Sequence, residues 1–83
     1  MLRGVELERH IRTIVARLAR HPDPGALRAD ADLYRELGIA SSGALELLLS
    51  LEDELGVHLS DADFNEARSI DSLCALVSRG GHS

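Results

Sequence analysis

The chain has 83 residues, a formal net charge of −5 and a single cysteine. A chain this short makes one domain, expected over residues 1–83 with a core from about 5 to 79, and buries only about 60–65% of its unfolded surface, which leaves little room for an enclosed active-site cleft. No run approaches the ~18 consecutive apolar residues that cross a bilayer. The N-terminus lacks the basic-then-apolar pattern of a secretory signal, so a cytoplasmic monomer is the default expectation. Cys74 excludes an internal disulfide and sits at an apolar helical position, where a buried structural cysteine is expected. His10, His21, His58 and His82 form no i, i+4 pair, so no metal site is expected.

Charge is segregated along the chain. Residues 1–29 carry six arginines against three acids, whereas residues 30–66 carry ten acids against Arg35 alone. An acidic middle argues against a nucleic-acid surface, which needs clustered Lys and Arg. It favours docking onto basic patches of partner proteins, or else is a merely solvated face.

In chain order, Leu7, Ile11, Ile14, Val15 and Leu18 mark one stripe of a 3.6-residue period and predict a first helix over 5–20. Glu6 and Glu8 near its start and Arg17 and Arg20 near its end complement the helix dipole. Pro22, Pro24 and Gly25 then open a long loop. Leu33, Tyr34 and Leu37 predict one helical turn pinning that loop to the core, stopped at Gly38. A second helix is expected from about Ser42 to Leu55, with Leu45, Leu48, Leu49 and Leu55 facing the core. Leu47 and Leu51 widen its apolar arc, which suggests a central or partner-facing helix. After Gly56 and an extended Val57-His58-Leu59 link, Ser60-Asp61 opens a short third helix to about Ala67, anchored by Phe64. Ser69 caps a last helix with Ile70, Leu73, Cys74 and Val77 on its buried face. Gly80-Gly81 ends it, and the tail beyond is expected to fray. The predicted elements are all helical, so an all-α chain is expected, and fifteen leucines with only two aromatics imply an aliphatic core between the helices.

The chemistry concentrates at Ser41-Ser42. A catalytic serine needs a base and usually an oxyanion hole. Gly38 and Gly43 flank the pair at the wrong spacing for a Gly-x-Ser-x-Gly elbow, and His58 is the one histidine considered as a base. Helix capping by one serine is the plain structural expectation. A phosphate ester at a helix start is also favoured there by amide groups and the dipole.

From Asp30 to Val77 the sequence resembles the acyl carrier proteins and related peptidyl carrier domains. The family's Asp-Leu-Gly-x-Asp-Ser-Leu core lies over Glu36-Leu37-Gly38-Ile39-Ala40-Ser41-Ser42. Its glutamate-rich helix end lies over Leu51-Glu52-Asp53-Glu54-Leu55, and its Ile-Pro-Asp over Leu59-Ser60-Asp61, without a gap. The resemblance implies a four-helix bundle with a long first loop and a short third helix, and a carrier rather than an enzyme. It implies 4′-phosphopantetheine attached covalently to Ser41, with an acyl or aminoacyl group held as a thioester on the arm. Implied partners are a phosphopantetheinyl transferase, an acyl- or aminoacyl-loading ligase and downstream enzymes. Glu46, Glu52, Asp53 and Glu54 would meet their basic surfaces. Asp32-Leu33-Tyr34 with Gly38-Ile39-x-Ser41 further resembles stand-alone carriers served by amino acid:carrier protein ligases. The sequence departs from the family at Ala40, where an acid is usual, and at Ser42, where leucine is usual. Both positions help the transferase recognise its target. The alternative is therefore an unmodified helical interaction module with the same fold.

Overall fold

Four helices and their caps account for most of the chain; the structure, a computed structural model, describes residues 4–80. Helix α1 spans Gly4–Ala19, α2 Ala44–Leu55, α3 Asp61–Glu66 and α4 Ile70–Gly80, and no strand occurs among the described residues. None of these helices is long and apolar enough to cross a membrane. The all-α expectation holds, and so does the order of long loop, central helix, short helix and last helix. The expected stop at Gly80-Gly81 falls at the last described residue, and the expected frayed tail lies outside the described residues.

Helix α1 buries Leu7, Ile11, Ile14 and Val15, the stripe expected from its period, with Ala16 added and Leu18 only half-buried. It ends one residue earlier than expected. Arg20 takes a left-handed conformation (φ 57°), and the His21 amide closes the helix end on the Ala16 carbonyl at 2.8 Å.

The long loop is fastened at several points. Asp23 caps a 3-10 turn at Pro24–Ala26 through the Gly25 amide. Arg12 reaches from α1 to the carbonyls of Pro24 and Leu27, so part-buried loop backbone is satisfied by a helix side chain. The Leu33 amide donates to the Arg68 carbonyl at 2.8 Å, and Asp71 to the Ala29 carbonyl at 3.0 Å. Leu27, Ala31, Leu33 and Ile39 thereby enter the core. The turn predicted around Leu33 is present: Asp32 Oδ1 accepts from the amides of Tyr34 and Arg35, and Glu36 answers the Asp32 amide. Gly38 follows at φ 82°, a conformation that costs glycine little.

Helix α2 buries Leu47, Leu48 and Leu51. The expected core face is corrected here. Leu45 and Leu49 are 63% and 54% exposed, whereas Leu47 and Leu51 are fully buried. The inward face is set by contact with α1, and it lies round the helix from the stripe through Leu45 and Leu49. Gly56 at φ 66° stops the helix. Ser60 caps α3 by accepting from the Asp63 amide, and Phe64 anchors that helix in the core. Ser69 Oγ accepts from the Ser72 amide at the start of α4, as expected. Ile70, Leu73, Leu76 and Val77 are buried, and Cys74 is half-buried rather than buried. One hydrophobic cluster, to which α3 contributes Phe64, joins residues of all four helices with the loop residues Leu27, Leu33 and Ile39.

Candidate functional site

The serine pair lies in a 3-10 turn, Ser41–Gly43, that leads directly into α2. This turn displaces the capping role expected for a serine. The helix N-cap position falls on Gly43, that of the turn on Ala40, and neither makes a side-chain capping bond. Ser41 and Ser42 are both exposed, and neither hydroxyl is engaged in a hydrogen bond among the described residues. The turn is held by two backbone bonds, Gly43 amide to Ala40 carbonyl at 2.7 Å and Ala44 amide to Ser41 carbonyl. The amides of Ser41 and Ser42 have no protein acceptor among the described residues, which leaves donors for an anion at the helix start.

A phosphoryl ester fits this position. The Ser41 oxygen is accessible and uncommitted, its neighbours Ala40 and Gly43 are small, and unpaired amides stand beside it. Nothing at the turn supplies a base for serine catalysis. His58, the histidine considered from sequence, sits beyond the far end of α2, with Nδ1 3.4 Å from Glu52. Twelve helical residues separate the two ends, about 18 Å at 1.5 Å per residue.

The four acids expected to dock partners separate into two pairs. Glu46 and Asp53 are exposed, and they border a shallow groove with Ser42, Leu45, Leu49 and Glu54. Glu52 turns back to accept from the Leu59 amide at 3.0 Å, fastening the link to α3. Glu54 accepts from the Arg17 guanidinium and contacts His10 Nε2 at 3.2 Å, both on α1. These contacts, Arg17 first, hold its carboxyl below its ordinary range. The groove residues missed from sequence are Leu45 and Leu49, which the leucine spacing alone places in the core. Their spacing with Ser42, Glu46 and Asp53 is a helical stripe, i, i+3, i+4, i+7 and i+11, which is the signal that identifies the face.

Elsewhere, Cys74 is a poor nucleophile. Burial first, and then Glu8 and Asp71, push its thiol up to about 11. Among the described residues no group of three His, Cys, Asp or Glu side chains could hold a metal ion.

Comparison with known proteins agrees with this geometry. The family described as "Phosphopantetheine attachment site" matches residues 9–77, which is most of the chain and includes all of the serine turn and α2. An acyl carrier protein of Phaeodactylum tricornutum (strain CCAP 1055/1) is 28% identical over 57 residues, 69% of this chain and 75% of its own. A carrier is favoured over an unmodified module of the same fold. The chain belongs to the phosphopantetheine-attachment family, and is a carrier protein, not an enzyme, that bears 4′-phosphopantetheine covalently.

Proposed function

We propose that Ser41 is the residue that carries the phosphopantetheine and that the loaded group is an acyl or aminoacyl unit. The observation that carries this reading is the exposed, uncommitted Ser41 hydroxyl at the entrance to α2, beside amides without protein acceptors. When bound, the prosthetic group supplies a terminal thiol that holds the cargo as a thioester. The chain's own residues supply a rigid base. The buried Leu47, Leu48 and Leu51 fix α2 against the core, so the serine turn projects from a firm helix. Tethering then raises the local concentration of cargo at each partner.

Partners in this reading are a phosphopantetheinyl transferase, a loading ligase and the enzymes that take the cargo onward. The docking face runs along α2 from Ser42 past Leu45 and Leu49, where Glu46 and Asp53 offer charge to basic surfaces. Glu54 lies on the same rim, while Glu52 contributes to the local field from a position tied to the α2–α3 link. Apolar leucines flanked by acids support this assignment over a merely solvated face, because solvation alone gives no reason to expose two leucines together.

Intact mass after co-expression with several transferases tests the attachment residue. The expected result is one phosphopantetheine adduct on the native chain and on Ser42→Ala, and none on Ser41→Ala. Loss of the adduct in Ser42→Ala alone would transfer the site to Ser42.

A further inference from the structure

We propose that Arg20 is the charge partner of the phosphodiester on Ser41 and positions the base of the prosthetic arm. This rests on the assignment of Ser41 above. Three observations converge on Arg20. Its φ of 57° makes it the one non-glycine residue with positive φ among the described residues. This angle closes α1, a position where glycine is the usual residue, so an arginine is kept here at some cost. Its guanidinium is also uncommitted: Arg12, Arg17, Arg28 and Arg68 all pair with carboxylates, whereas the Arg20 side chain, like those of Arg9 and Arg35, makes no hydrogen bond or ion pair among the described residues. Finally, Arg20 lines a depression between the end of α1 and the serine turn, together with Leu18, Ile39, Ala40, Ser42 and Glu46. Ser41 does not itself line the depression but stands at its edge, joined in the chain to the lining residues Ala40 and Ser42, with its Cα about 3.8 Å from each of theirs.

A phosphodiester keeps a full negative charge at neutral pH. At this turn the amides of Ser41 and Ser42 offer only partial positive charge. Glu46 on the same depression repels it. Arg20 is the lining residue that carries a full positive charge, and the guanidinium fork matches two phosphate oxygens. Arg20 and Glu46 share the depression without forming an ion pair among the described residues, so the exposed guanidinium is free to meet a phosphate.

The test compares apo and holo forms of the native chain, Arg20→Gln and Arg20→Lys, with modification verified by intact mass. The native chain is expected to gain Tm on conversion from apo to holo, by an increment that shrinks as salt is raised. Its Arg20 Nε–H resonance should move on the same conversion. Arg20→Gln should lose most of the increment and its salt dependence, while Arg20→Lys keeps a part. A role confined to closing α1 would change apo and holo Tm equally and leave the increment intact. Equal increments in the native chain and Arg20→Gln, or an unmoved Arg20 resonance, would overturn the assignment of Arg20 alone. A native chain that accepts no adduct, or accepts it elsewhere than on Ser41, would overturn the attachment reading and this proposal with it.

Discussion

Arg68 Nε donates to Asp32 Oδ2 at 2.9 Å across 36 residues of sequence, and its guanidinium carbon lies 4.9 Å from the centre of the Tyr34 ring. The pair joins the turn that precedes Gly38 to the link between α3 and α4. The Asp32 carboxylate also accepts from two backbone amides. The Arg35 amide first, and then Arg68 and the Tyr34 amide, hold its carboxyl at about 2, against an ordinary 3.8. As pH falls, the unfolded chain takes up this proton before the folded one does. The stabilisation is therefore complete above pH 3.8 and is lost between 3.8 and about 2. Asp32→Asn should lower Tm at pH 7 and flatten the acid limb in that window. Thermal melts from pH 2 to 7 provide the check, and parallel acid limbs in the two proteins would contradict it.

The leucines of α2 should divide sharply in their effect on stability. Leu47→Ala and Leu51→Ala remove fully buried side chains and should cost about 2–5 kcal/mol each. Leu45→Ala and Leu49→Ala remove exposed ones and should change stability by no more than about 0.5 kcal/mol. Urea denaturation of the four variants measures the contrast. Leu45→Ala and Leu49→Ala should instead weaken partner turnover, measured with the loading ligase.

Glu54 and Glu46 should respond differently to neutralisation. Glu54→Gln breaks its contacts with Arg17 and His10 and should lose about 0.2–1 kcal/mol, less at high salt. Because the Glu54 carboxyl is held below its ordinary 4.5, that contribution is present above pH 4.5 and fades as pH falls below it. Glu46 has no hydrogen-bond or ion-pair partner among the described residues, so Glu46→Gln loses only its place in the first turn of α2 and should move the denaturation midpoint less than Glu54→Gln, while raising KM for a basic-surfaced partner. Equal midpoints for both variants would refute the division of the acids.

Much of the fold is legible in the sequence because its signals are local. The α1 stripe, the turn at Leu33, the Ser60 cap and the Gly38 and Gly56 stops each depend on residues a few positions apart. The orientation of α2 is not local. With leucine at 45, 47, 48, 49, 51 and 55, apolar residues occupy most directions round the helix, and only the position of α1 decides which are covered. The acid run fails as a single patch for a related reason. Residues 52, 53 and 54 step about 100° each round the axis. One therefore meets the α3 link, one faces solvent and one meets α1. The serine turn was legible as a helix entrance, but the intervening 3-10 turn moved the cap onto glycine and left both hydroxyls unbound. Arg20 is legible in the sequence only as a helix-end cation, because its backbone angle and its place beside the serine turn, 21 positions on, leave no local pattern.

The two ends of α2 are fastened very unequally. At its C-terminal end Gly56, Glu52 and Glu54 tie the helix to the α3 link and to α1, whereas two backbone bonds close the serine turn. Opening residues 40–43 therefore leaves the buried leucines undisturbed. Amide exchange should be quickest at the serine turn and slowest near Leu51. A segment fastened this lightly is free to open as a short flap, while the helix behind it stays folded and keeps Leu45, Leu49, Glu46 and Asp53 exposed.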